Sequence, residues 1–276
     1  MTDAPQFTTI TYETRDHIAE IGLNRPEVLN AINSTMLTEL NLALDLAEAD
    51  PEVNVILLSG HGRAFSAGFD LKESAARGTV TLAQWRQFLQ VDFDLIMRFW
   101  DCPKPTVAAV QGHCLGGGFE MAMACDLTVA SETALLGEPE VKFGSGVVAL
   151  LLPWLTGPKM AKEIVLTGQD KLTSQRAYEI GLLNRVVPQA ELIQTARTLA
   201  GAMSGAAGAS VRMSKQAINR SYEMMGMRNA LRQALELDIY IEANGGPERE
   251  AFNRIRREEG LKAAIAWRER RPGQTG

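Results

Sequence analysis

Residues 53–58 and 105–111 are compact apolar runs rich in Val, Leu and Ala, and a glycine follows each, Gly60 and Gly112. A short run without polar alternation is how a strand buried on both faces reads. Helical spacing lies between and around them, with Leu37, Leu40, Leu44 and Ala47 within residues 34–48 and Trp85, Phe88, Leu89 and Phe93 within residues 82–100. Residues 7–14 and 17–23 read as a hairpin about Arg15-Asp16, residues 119–124 as a short helix and residues 127–130 as a strand. Strand, loop and helix in repetition give an α/β fold with mostly parallel strands. From Pro158 onward the pattern turns helical, over residues 160–167, 174–180, 189–203, 211–224 and 228–242, with one short strand at 184–187. Glycines at 205–208 and Gly245-Gly246-Pro247 punctuate that part. We divide the chain into a β/α core, residues 1–204, and a helical C-terminal part, residues 205–276.

Such a core needs length, and 276 residues with 46% hydrophobic and 22% charged side chains supply it. The net charge of −5 and the lack of a long basic arm make a nucleic-acid partner unexpected. The longest apolar run, residues 147–155, contains Pro153 and is far too short to span a membrane. Met1-Thr2-Asp3-Ala4-Pro5 has no basic region followed by an apolar stretch, and no arginine, so neither a secretion signal nor a mitochondrial presequence is read there. Cys102, Cys114 and Cys125 show no CxxC spacing, which suits a reducing compartment, the cytoplasm. Three histidines and scattered cysteines leave no metal site to expect. The tail is locally basic, through Arg249, Arg254, Arg256, Arg257, Lys262, Arg268, Arg270 and Arg271. Two readings stay open, a solvated helix face or a contribution to an anionic-ligand site.

Gly116-Gly117-Gly118-Phe119-Glu120 carries the chemistry, with Glu138-Pro139-Glu140 twenty residues later. Bare backbone lets amides approach a ligand, and nearby carboxylates move protons. Two such acids repel, so one should hold a proton near neutral pH. Three competing motifs fail on context. Gly144-Ser145-Gly146-Val147-Val148-Ala149 fits a dinucleotide fingerprint with Asp170 beyond it, but no clear strand precedes it. Ala64-Phe65-Ser66-Ala67-Gly68 is one residue from a nucleophile elbow, and the only later histidine is His113 beside the glycines. His113 itself reads as a structural hydrogen-bonder. Loops leaving parallel strands gather at one crevice, so the segments at 67–72, 116–120 and 138–140 are placed to converge.

These segments resemble the crotonase, or enoyl-CoA hydratase/isomerase, superfamily over nearly the whole chain. The resemblance rests on Asn24-Arg25-Pro26-Glu27 with Leu29-Asn30-Ala31, on Ala64-Phe65-Ser66-Ala67-Gly68-Phe69-Asp70-Leu71-Lys72, on the run Pro103 through Gly112, on Gly116 through Glu120, on Cys125-Asp126-Leu127, on Pro139-Glu140, on Leu166-Thr167-Gly168 and on Gly181-Leu182-Leu183-Asn184-Arg185-Val186-Val187-Pro188. It implies a ClpP/crotonase-like spiral of ββα units with a helical C-terminal trimerisation part, assembled as a homotrimer or dimer of trimers. It implies that the backbone N–H groups of Phe69 and Gly117 hold the thioester oxygen. Arg25, Ala67, Phe69, Asp70, Leu71, Lys72, Gly116 and Gly117 would then line the coenzyme A and substrate site. Glu120 and Glu140 match the two glutamates of hydratases, Glu140 exchanging the proton at Cα. Coenzyme A would enter as part of an acyl-CoA substrate, with no permanently bound cofactor and no metal.

The implied reaction is addition of water to a trans-2-enoyl-CoA. An isomerase, which needs one acid–base group, is the runner-up, and a non-catalytic RNA-binding or scaffold role is the reading from another class. Two departures stand out. Val141-Lys142-Phe143-Gly144-Ser145-Gly146-Val147-Val148-Ala149-Leu150 replaces the family's Pro-Gly-x-Gly-Gly turn and is expected to reshape the acyl pocket floor. Ala264-Ile265-Ala266-Trp267-Arg268 stands where an aromatic and basic segment often meets coenzyme A, and there a ligand contact and an ordinary amphipathic helix are both open.

Overall fold

In a computed structural model, which describes residues 5–78 and 80–270, the chain opens with strands β1 (Ile10–Arg15) and β2 (Ile18–Leu23). Their two-residue turn puts Asp16 and His17 at φ 50° and 63°, the left-handed values of a tight hairpin. The hairpin is the expected one, with its turn one residue later. Helix α1 (Ser34–Ala49) follows, capped by the Asn33 side chain, which accepts from Met36 N at 2.9 Å. Then come β3 (Val55–Gly60), α2 (Leu71–Ala76), α3 (Leu82–Asp101), β4 (Thr106–Val110) and β5 (His113–Leu115). Helix α4 (Gly117–Ala124) leads to β6 (Leu127–Ser131) and β7 (Leu135–Gly137). Helices α5 (Leu152–Thr156) and α6 (Pro158–Thr167), strand β8 (Leu172–Thr173), helix α7 (Ser174–Glu179) and strand β9 (Arg185–Val187) complete the β-containing part. The remainder is helical: α8 (Leu192–Ser204), α9 (Gly208–Met224), α10 (Met227–Asn244), α11 (Pro247–Glu259) and α12 (Leu261–Glu269). Met1 to Ala4 and Arg271, read above from sequence, lie outside the described residues.

The strands form a six-stranded sheet, β1-β2-β3-β4-β6-β9, parallel except at the β1–β2 hairpin, and a three-stranded sheet, β5-β7-β8. Twice the chain passes from the larger sheet to the smaller one before a helix, β4 then β5 and β6 then β7, which is the expected ββα winding. Side-chain alternation explains the apolar runs. Val55 and Leu57 of β3 face Leu192, Ala196 and Ala200 of α8, while Ile56 and Leu58 face the main core with Leu40, Leu44 and Phe99. A strand covered on both sides shows no polar alternation, and Val55 to Leu58 shows none.

Boundaries shift for local reasons. Strand β3 begins two residues later than the apolar run, because the N–H groups of Asn54 and Val55 both bond the carbonyl of His17 as the chain enters the sheet. Helix α4 starts at Gly117, so two of the three glycines lie inside it. Helix α2 was not read from the sequence. Its N-cap, Asp70, accepts from Lys72 N at 2.9 Å and Glu73 N at 3.3 Å, a polar signal without an apolar stripe.

Candidate active site

The loops after β3, β5 and β7 meet at one end of the molecule, where a cavity of about 1150 Å³ opens. Asn30 sets the first loop. It is fully buried, sits at φ 54°, and its Nδ2 donates to the carbonyls of His61, Ala64 and Phe65 at 2.9, 2.9 and 3.1 Å. Ser66, also fully buried, donates through Oγ to Asn30 O at 2.9 Å and accepts from Gly68 N at 3.1 Å. That engagement leaves no free nucleophile, as the motif's context indicated.

Backbone pairing then aligns two amides. Ile32 N donates to Gly68 O and Asp70 N to Ile32 O, each at 2.9 Å, so the N–H of Phe69 between them points to the opposite side. On that side runs β5, joined to the loop by Ser66 N to His113 O at 3.1 Å and Leu115 N to Ser66 O at 3.0 Å. A Cβ at Gly68 would lie 3.3 Å from Gly117 N, which measures how closely the two backbones approach. As the first residue of α4, Gly117 has an N–H with no partner inside its helix.

The glycines answer to neighbours. Gly116 has φ 51°, and a Cβ there would collide with Glu140 Oε1; a Cβ at Gly117 would collide with the Phe69 ring. Glu140 therefore stands against the glycine turn, and the Phe69 ring covers Gly117.

Glu120 is 2% exposed in the first turn of α4. Its Oε1 accepts from Val148 N at 3.3 Å and its Oε2 from Ala149 N at 2.5 Å. These donors come from the stretch that departs from the family's glycine-rich turn. Asp238 of α10 braces that stretch, accepting from Gly146 N at 3.0 Å. Burial pushes Glu120 well above the usual carboxylate range, and the Glu140 charge adds to it, while the two amides pull the other way. Glu140 opens the short 3₁₀ turn Glu140–Phe143 and is raised to about 7, chiefly by burial. Asp238 is likewise raised to about 7 by burial. Burial, more than mutual repulsion, is what favours a retained proton on these acids.

Of the residues singled out in the sequence, Ala67, Phe69, Asp70, Leu71, Lys72, Glu120 and Glu140 border the cavity. Arg25, Gly116 and Gly117 stand behind its wall. Arg25 is a brace, donating to Ala31 O at 2.6 Å and Asp70 Oδ2 at 2.9 Å. Lys72 is exposed. His113 borders the cavity too, but its buried Nδ1 has no partner, so the hydrogen bond read for it is not made at that nitrogen.

Sequence reasoning missed the far wall. Helices α10, α11 and α12 fold over this chain's own cavity and bring Asp238, Arg249, Phe252, Arg256, Ile265 and Arg268 to it. Phe252 meets Phe143 with ring centroids 5.1 Å apart, and Arg268 lies over Phe143 and pairs with Asp170 at 3.5 Å. Arg256 donates to Leu71 O at 3.1 Å, while its buried Nε has no partner. The basic tail was the available signal, and its Arg249, Arg256 and Arg268 belong to the site rather than to a solvated face. Among the described residues no His, Cys, Asp and Glu cluster could hold a metal ion.

The enoyl-CoA hydratase/isomerase family profile matches residues 13–246. The protein named "Probable enoyl-CoA hydratase, mitochondrial" in Dictyostelium discoideum is 37% identical over 229 residues, 79% of this chain and 78% of the relative. The short-chain-enoyl-CoA hydratase of Clostridium acetobutylicum is 36% identical over 224 residues, 79% of this chain and 84% of that one. The crystal structure of an enoyl-CoA hydratase/isomerase from Xanthobacter autotrophicus Py2 superposes with a TM-score of 0.95 at 49% identity, covering 97% of this chain and 100% of that one.

Proposed function

Since the chain belongs to the enoyl-CoA hydratase/isomerase family and is a hydratase-type enzyme of it, we propose that it adds water across the double bond of a trans-2-enoyl-CoA by way of an enolate. The observation that carries this reading is that Glu120 and Glu140 both border the same cavity, beside the close approach of the Gly68 and Gly117 backbones. The N–H groups of Phe69 and Gly117 hold the thioester oxygen as negative charge grows on it, and an oxyanion donor of that kind is worth about 3–4 kcal/mol. Glu120, whose carboxylate accepts from Val148 N and Ala149 N against the cost of its burial, takes a proton from water in its ionised form as the water oxygen bonds Cβ. Glu140, near neutrality in its ionisation, delivers a proton to Cα, and the same steps reversed dehydrate the product. An isomerase would need only Glu140, and the two amides spent on Glu120 favour the two-acid reaction.

Coenzyme A enters with the substrate, and no resident cofactor or metal takes part in these steps. We take residues 1–204 as the core that carries the chemistry and, within the C-terminal part 205–276, α10, α11 and α12 as the elements that close the site. Arg256, half-buried with a free Nε beside Leu71, and exposed Lys72 are the cations we assign to the phosphates. Exposed Met213, Ile218 and Met224 of α9, Met225 in the turn after it, and Leu237 and Tyr240 of α10 are the apolar side chains we assign to the contacts of a homotrimer, alone or doubled. Three buried, unpaired cysteines suit the cytoplasm, and among the described residues no helix is long and apolar enough to cross a membrane. Incubating a short trans-2-enoyl-CoA in ¹⁸O-water tests the reaction. The expected product is a 3-hydroxyacyl-CoA labelled at its hydroxyl. A product that is only a shifted double bond, without label, would instead mark an isomerase.

A further inference from the structure

Glu138 is the buried acid that the proposed steps leave unused. It follows β7, donates its N–H to Gln169 O at 2.8 Å, and is 2% exposed. It does not border the cavity, whereas Glu140 and Glu120 do. Glu138 Oε2 and Glu140 Oε2 both lack a donor, yet the two side chains lie within hydrogen-bond reach of one another. Two ionised carboxyl groups are acceptors only, so such a contact requires a proton between them.

The surroundings decide where that proton sits. Glu120 of α4 and Cys114 of β5 face Glu138, and neither brings positive charge. Glu242 of α10 and Asp170 act on Glu140, again as negative groups. The nearby cations are engaged elsewhere, Arg249 with Glu242 and both Lys142 and Arg268 with Asp170. Glu138, walled off from the cavity and among acids, cannot ionise cheaply. Glu140 at least faces an open space.

We infer that Glu138 is a positioning residue that keeps its proton and donates it in a hydrogen bond to Glu140, fixing that carboxylate's orientation and its strength as a base. The proton stays on Glu138 throughout. The Cα–H bond breaks toward Glu140, and in the hydration direction the same donor makes Glu140 a stronger acid. This rests on the role given to Glu140 above, but not on that of Glu120.

The test is exchange of the Cα protons of a saturated thioester, butyryl-CoA, in D₂O, followed by mass spectrometry across pD. Exchange needs the oxyanion donors and Glu140 as base, and no water attack. In the wild type it rises with pD as Glu140 ionises. Glu138→Leu, which has no donor, moves that rise upward by about one to two units, with roughly tenfold or more loss at pD 7. Glu138→Gln donates through its amide and restores the wild-type position. A rise displaced to lower pD in Glu138→Gln would mean that a negative charge had been removed, and would overturn the inference. An unmoved rise in Glu138→Leu would overturn it as well. Infrared difference spectra between wild type and Glu138→Gln at pH 7 decide the proton without turnover: loss of a protonated-carboxyl band is expected, and loss of a carboxylate band contradicts it. Exchange without hydration would remove the hydratase reading and leave this one standing.

Discussion

Single side chains carry the chemistry through their surroundings. Glu120 is legible in the sequence because it follows three glycines, but its partners are not. The amides of Val148 and Ala149 reach it across 28 and 29 positions, from a stretch whose side chains say nothing about where its N–H groups point. Glu140 shows how burial converts into pH dependence. Its ordinary value of 4.5 rises to about 7, so the folded chain holds the proton more tightly than the unfolded one. Stability is then greatest below the unfolded value and falls as pH rises from about 4.5 through 7, by an amount of order 3 kcal/mol if this group acted alone. Glu140→Gln removes the cost of ionisation. We predict that its melting temperature exceeds the wild type's by several degrees at pH 8 and by much less at pH 5. Equal gains at both values would contradict the assignment.

At the scale of elements, apolar pattern named what it could reach. Strands β3 and β4 announced themselves because both faces are covered, and α1 and α3 because one stripe is. Helix α2 escaped because its stability comes from polar ends. Asp70 caps it and also pairs with Arg25, which ties the helix to the Leu29–Asn30 turn with its two positive φ angles. Asp70→Ala would therefore lose a cap and strand a guanidinium that is 18% exposed. We expect about 2–4 kcal/mol of destabilisation in urea melts, with Asp70→Asn, which keeps the cap, losing less. If alanine and asparagine cost the same, the cap contributes nothing. Gly117 is legible as an exposed amide, but the ring of Phe69 packed against it is visible only in three dimensions.

Across the whole molecule, the site is closed by helices far along the chain from the glycines that announce it. Asp238 braces Gly146, and Arg256 and Arg268 reach Leu71 and Asp170. No local pattern signals such long-range contacts; the basic tail marked the material and not its destination. What the sequence did carry was the set of loops, because parallel strands deliver their C-terminal ends to one place. The claim that unites the scales is that two glutamates, one anchored by amides and one tuned by burial, work together on an enoyl thioester. The most direct test is loss of the conjugated enoyl-thioester absorbance with the wild type, Glu120→Gln and Glu140→Gln side by side. We predict turnover in the wild type and a fall of about 10²–10⁴-fold in each variant. Near-normal turnover in Glu120→Gln, or none in a wild type that binds the thioester, would contradict the account.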